Sequence, residues 1–92
     1  MGKGSINKKC EYDDGSPING AKVFLKKNAT VNWTKFTNIW GWANFSDLDP
    51  YIYYIYTDMD NDGSWDGVPD VLYVGAGEVI NITNDFPLSL KK

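Results

Sequence analysis

Apolar residues in this chain never recur at the 3, 4 and 7 spacing of a helix over a helical length. They fall in short alternating segments separated by Gly, Pro, Asn and Asp. A strand turns successive side chains to opposite faces, so each such segment can bury one face, and the punctuating residues supply the turns between. The chain therefore reads as all-β. Strands are expected near residues 5–12, 20–27, 31–38, 42–46, 51–58, 70–76 and 78–84. Turns are expected at Asp13-Asp-Gly-Ser-Pro17, Lys27-Asn28, Ile39-Trp-Gly41 and Asp47-Leu-Asp-Pro50. Seven short strands in 92 residues fit a two-sheet sandwich. Its paired inner faces can enclose Val23, Leu25, Phe45, Leu48, Tyr53, Ile55 and Val74, leaving Lys22, Lys26 and Lys27 to project to water. A chain of this size buries one core, so residues 6–92 form a single domain behind a flexible lead, residues 1–5, and the whole reads as a piece of a larger protein.

The densest chemistry lies in Asp58-Met-Asp60-Asn-Asp62-Gly63-Ser64-Trp-Asp66-Gly67-Val-Pro-Asp70, with five carboxylates in one stretch. Carboxylates this close repel one another, and a hard cation among them turns that repulsion into binding. Oxygen ligands at loop positions 1, 3 and 5 converge from one side of a curling backbone. Glycine at position 6 permits the sharp turn that brings in the carbonyl of position 7. Asp58, Asp60, Asp62, Gly63 and Ser64 hold these positions. Position 12, where a helix–loop–helix site carries a bidentate Glu, is Pro69, whereas position 9 is Asp66. The pattern DxDxDGxxD resembles the calcium hairpins of FG-GAP propeller repeats and thrombospondin type 3 repeats, and the resemblance implies a direct ligand at Asp66. The expected cofactor is one calcium ion held by Asp58, Asp60, Asp62, Asp66 and the Ser64 carbonyl, with Asp70 in the outer shell of the site. The loop joins two strands, because Tyr51–Tyr56 and Asp70–Val74 are both rich in aromatic and β-branched residues.

Charge narrows the partners. Five of the 12 acidic residues lie in the loop, leaving seven against nine lysines elsewhere, with no Arg and no basic stripe. Nucleic-acid binding has no support in that pattern. No apolar run approaches the roughly 20 residues of a membrane span, so no membrane insertion is expected. The single cysteine, Cys10, has no internal partner and reads as an inert strand thiol. Four N-x-[ST] sequons, at Asn28, Asn32, Asn44 and Asn81, lean toward an extracellular or cell-surface protein.

Two further segments carry a family resemblance. Asp13-Asp-Gly-Ser-Pro17-Ile-Asn-Gly20-Ala21-Lys-Val23-Phe-Leu25 resembles the "G-x-P-I-x-G-A-x-V-x-L" opening of carboxypeptidase regulatory-like and Cna protein B-type domains. Thr37-Asn-Ile-Trp-Gly41-Trp-Ala43-Asn-Phe45-Ser-Asp-Leu48-Asp-Pro50 is similar to the family's following "T-D-x-x-G-x-A-x-F-x-x-L-x-P", and Ile52-Tyr53-Tyr-Ile55 falls on its next strand. Tyr51 departs from the family's glycine after the proline, and the calcium-type loop is a second departure. The resemblance implies a transthyretin-like seven-strand sandwich that serves as a spacer, joint or adhesion unit beside neighbouring domains. Some Cna B-type domains also form a Lys–Asn or Lys–Asp isopeptide bond assisted by a buried acid. Lys22 or Lys26 with Asn81 or Asn84 would be the pairing here, but neither Glu11 nor Glu78 lies on a central strand to assist, so the bond is not expected.

With no histidine, the Ser-His and Cys-His nucleophile arrangements and histidine zinc sites are excluded. No phosphate-cradling glycine motif is present either, and the chain is not expected to be an enzyme. A calcium-stabilised structural module is the leading expectation. The rival is a carbohydrate-binding module in which Trp40, Trp42 and Trp65 contact a polysaccharide, since exposed indole faces stack on sugar rings; the alternative for these residues is ordinary packing.

Overall fold

A computed structural model describes residues 2–28 and 31–90. Seven strands form in chain order: β1 (Gly4–Tyr12), β2 (Lys22–Lys26), β3 (Asn32–Phe36), β4 (Trp42–Leu48), β5 (Tyr51–Asp58), β6 (Asp70–Val74) and β7 (Val79–Phe86), followed by a 3-10 turn at Leu88–Leu90. They make two sheets, ordered β4-β1-β7 and β3-β2-β5-β6. The first and last strands are parallel neighbours, pairing Ser5 with Val79 through Tyr12 with Phe86. The other pairings are antiparallel. This is the all-β, two-sheet, seven-strand sandwich expected from the sequence.

Each strand follows from its alternation. On β1, Ile6, Lys8, Cys10 and Tyr12 turn inward while Asn7, Lys9 and Glu11 turn outward. All seven residues expected in the core are buried there, together with Ile6, Cys10, Ile18, Ala43, Met59 and Phe86. Burying an aliphatic or aromatic side chain of this kind contributes about 1.5–3 kcal/mol.

Three expectations are corrected. Residues 4 and 5 are part of the sandwich and not of a lead. Gly4 opens β1 in a close approach where a Cβ would collide with Val74 Cγ1 and lie 2.9 Å from the Gly75 carbonyl oxygen. The turn expected at 47–50 is shorter, because β4 runs on to Leu48, and the Tyr53 hydroxyl closes it by donating to the Asp49 carbonyl at 2.7 Å. Tyr51 enters β5 without a positive φ, so no glycine is needed at that point. Lys22 and Lys27 do not simply project to water. Their stems lie half-buried, and their ammonium groups sit 5.6 Å from the Trp65 ring and 5.0 Å from the Tyr51 ring.

Candidate functional site

Two constellations of functional side chains emerge, one inside a single loop and one assembled across three strands. In the loop, Asp58 ends β5 almost fully buried, and its two carboxylate oxygens accept from the backbone N–H of Asp62 at 3.1 Å and of Gly63 at 2.9 Å. The chain can curl this tightly because Asn61 (φ 57°) and Gly63 (φ 91°) take left-handed conformations. Asp66 closes the curl: its carboxylate accepts from Met59 N–H at 2.8 Å, and its own N–H donates to the Thr57 carbonyl at 2.6 Å. Ser64 N–H donates to Asp62 at 2.9 Å, and the Asn61 side chain donates to the Gly20 carbonyl at 2.6 Å, which ties the loop to the turn before β2.

The result is that Asp58, Asp60, Asp62 and Asp66 each place a carboxylate oxygen within 4.8 Å of the others. Two oxygens on opposite sides of a calcium ion stand about twice 2.3–2.6 Å apart, so this spread fits one ion, and an all-oxygen donor set is the kind a hard cation takes. Ser64 lies on the loop between Asp62 and Asp66, the position expected to contribute its carbonyl. Asp70 is placed elsewhere. It opens β6, opposite Ile55, and in place of the outer-shell role expected of it, its carboxylate accepts from Lys8 and is not among the clustered loop carboxylates.

Lys8 is the centre of the second constellation. It sits mid-β1 on the inward face with its side chain 1% exposed, the only lysine classed as buried among the described residues. Nζ donates to Asn84 Oδ1 on β7 at 2.6 Å and to Asp70 Oδ2 on β6 at 3.0 Å. Lys8 and Asn84 belong to adjacent parallel strands of one sheet, and Asp70 reaches them from the edge strand of the other. An amine, a carboxamide and a carboxylate thus meet, the amine buried and its two partners partly exposed. A buried ammonium is costly unless it is paired and hydrogen-bonded, and these two partners meet that requirement.

Neither lysine of the isopeptide pairing named from sequence is buried. Lys22 and Lys26 point outward from β2, and Asn81 points outward from β7, where it accepts from the Asn7 side chain at 3.0 Å. The buried lysine is Lys8, and the side chains beside it are Asn84 and Asp70. The signal was available: Lys8 shares the apolar face of Ile6, Cys10 and Tyr12 in a strict alternation. Cys10, the next inward residue, is fully buried, and burial pushes its thiol up to about 11.

The tryptophans do not converge. Trp42 lies on the outer face of the three-stranded sheet, with Lys9 Nζ 5.7 Å from its ring centroid. Trp40, 65% exposed, caps the adjoining turn. Trp65 is on the opposite outer face, stacked on Phe24 at 5.6 Å and tilted against Tyr56. No single surface presents all three.

No described protein family matches the chain by sequence, and no curated protein does either. Solved structures match by fold. The Bacillus anthracis TIE protein superposes over 91% of this chain with a TM-score of 0.77 at 16% identity, and BcpA, the major pilin subunit of Bacillus cereus, over 91% with a TM-score of 0.67 at 17% identity. The chain spans 17% and 29% of those two proteins. The likeness is one of fold, and it agrees with the Cna B-type sandwich that the sequence motifs resemble.

Proposed function

We propose that this chain is a structural module of an extracellular or cell-surface protein, in which an amide between Lys8 and Asn84 joins the first and last strands covalently and a calcium ion holds the β5–β6 loop. The observation that carries the reading is the buried Lys8 amine, 2.6 Å from the Asn84 carboxamide with the Asp70 carboxylate at 3.0 Å. Similarity of fold to a major pilin subunit supports a load-carrying role outside the cell over catalysis on a separate substrate.

The chemistry follows from the three groups. Asp70 takes a proton from the Lys8 ammonium and leaves a nucleophilic amine. The resulting carboxylic acid hydrogen-bonds the Asn84 carboxamide oxygen and makes its carbon more electrophilic. Nζ attacks that carbon, the tetrahedral intermediate collapses with loss of the amide nitrogen, and a Lys8–Asn84 amide remains. The ammonia leaves as ammonium with the proton Asp70 held, which restores the carboxylate. Burial supports the reaction by excluding the water that would otherwise solvate the amine.

At the loop, Asp58, Asp60, Asp62, Asp66 and the Ser64 carbonyl would hold the calcium. Bound there, the ion offsets the mutual repulsion of the carboxylates and fixes the turn between β5 and β6. Affinity is expected at roughly 10⁻⁴ to 10⁻³ M, the range of extracellular modules.

Intact-mass measurement tests the covalent reading. The wild-type protein is expected to weigh one ammonia less than its sequence, whereas Lys8→Met and Asn84→Ala keep the full sequence mass. A folded wild-type protein at full mass would remove the proposal.

A further inference from the structure

We propose that the outer face of the three-stranded sheet is a binding site for an uncharged saccharide, centred on Asn7, Asn44, Asn81 and Trp42. The starting observation is a row of three asparagines in register across all three strands: Asn7 pairs with Asn44 on β4 and with Asn81 on β7. Asparagine is depleted in strands, because its short polar side chain competes for backbone hydrogen bonds and packs poorly on a pleated surface. Three of them side by side at mid-strand contribute little to the fold. None faces the core, and none caps a turn.

The neighbouring row extends this patch into a shallow, open depression. Asn7, Asn38, Trp42, Asn44 and Asn81 line a depression of about 310 Å³, the lower end of the size range of small-ligand sites. Trp42 supplies an apolar ring, half-buried and held in place as Lys9 packs over it. Asn38 is fixed because its Oδ1 accepts from the backbone N–H groups of Trp40 and Trp42, both at 3.0 Å, and its NH₂ makes no hydrogen bond among the described residues. The Asn7 amide donates to Asn81 Oδ1, so Asn7 keeps its oxygen and Asn81 its NH₂ for a ligand. Asn44 makes no side-chain hydrogen bond among the described residues and keeps both.

This inventory selects the ligand. A carboxamide presents a donor and an acceptor in one plane, which suits adjacent sugar hydroxyls that both give and accept hydrogen bonds. An indole face suits the C–H face of a pyranose ring. No charged side chain lines the depression, and the Lys9 ammonium beside Trp42 is paired with Glu11 at 3.7 Å. An anionic or cationic ligand would find no unpaired counter-charge, whereas a neutral one needs none. Trp65, on the other outer face, takes no part.

The test is an amide-resolved NMR titration of the folded domain with four neutral probes, cellohexaose, xylohexaose, laminarihexaose and chitohexaose, and with galacturonate hexamer as the charged control. At least one neutral probe is expected to shift the Asn side-chain NH₂ signals and the Trp42 indole signal together. The single variants Asn44→Ala and Asn81→Ala, both at exposed positions, are expected to weaken that binding about tenfold each, the worth of one well-made hydrogen bond or pair. Absence of shifts with all four neutral probes overturns the proposal. So do shifts confined to the Trp65 face, affinity unchanged in both variants, or equal binding of the charged control.

Discussion

The acidic loop and the Lys8 cluster do opposite things with the same kind of side chain. Four aspartates in the loop lie within nine consecutive residues and bring their carboxylates together, so their charges add and favour an external cation. Asp70, only four residues beyond the last of them, meets a lysine supplied by the chain itself and needs nothing from outside. The loop is assembled by local backbone geometry, chiefly the left-handed residues 61 and 63. The cluster is assembled by topology, from residues 62 and 76 positions away from Lys8. On the proposed reading, the loop would give a stabilisation that follows metal concentration and can be reversed, and the cluster would give a covalent link made once.

That contrast can be broken most sharply at Lys8. Closing a loop of this length by a cross-link is worth about 4 kcal/mol by the estimate used for disulfides, and about 20 °C in Tm for a domain of this size. Lys8→Met should show that loss in thermal unfolding, and a change of only a few degrees would mean the strands are not linked. The calcium loop ranks second. Around 10 mM calcium should stabilise the domain by about 2 kcal/mol relative to EDTA, and identical midpoints in the two buffers would end the metal reading. Crossing the variants separates the regions: Asp62→Ala should abolish the calcium shift while the ammonia loss persists. Asp70→Ala should do the reverse, retaining the calcium shift at full sequence mass. If both variants lose both properties, the two regions are one coupled site.

The smallest expected effect is at Cys10. Burial holds its thiol neutral in the folded state up to about 11, whereas the unfolded chain ionises it near the ordinary thiol value. The native state therefore retains a proton that the unfolded state gives up between those values, and stability is full at neutral pH and falls as pH rises through that window. At pH 10 the loss is roughly 1 kcal/mol. Cys10→Ala should flatten the decline between pH 8 and 10 in chemical denaturation; an unchanged slope would assign the decline to other groups.

The sequence reading succeeded where one segment held all the information. The alternation of β2 and β5 named Val23, Leu25, Tyr53 and Ile55 as core, and the DxDxDGxxD spacing named four carboxylates that the fold does bring together. It missed where strands from distant parts of the chain meet. Lys8 was legible as an inward residue from its own alternation, yet its partners depended on β7 lying parallel beside β1 and on β6 crossing from the other sheet, which no local pattern states. Asp70 sits in the sequence at the end of the acidic stretch, and only the fold brings it to Lys8. Trp40, Trp42 and Trp65 were grouped by residue type, and the topology divides Trp42 from Trp65 because β4 and the β5–β6 loop belong to opposite sheets.

The parallel pairing of β1 with β7 has a mechanical consequence. Because the two strands run the same way, Gly4 and Phe86 lie at opposite ends of the shared ladder, from Ser5 opposite Val79 to Tyr12 opposite Phe86. A pull applied between those two residues slides one strand along the other and strains all the hydrogen bonds of the ladder at once, where an antiparallel hairpin would open them one by one. With an amide between Lys8 and Asn84 the pull would pass from β1 directly into β7, and residues 9–83, the calcium loop included, would carry no tension. Stretched by single-molecule force spectroscopy, the wild-type domain would then release no slack from that span, whereas Lys8→Met would release the full contour of the sandwich.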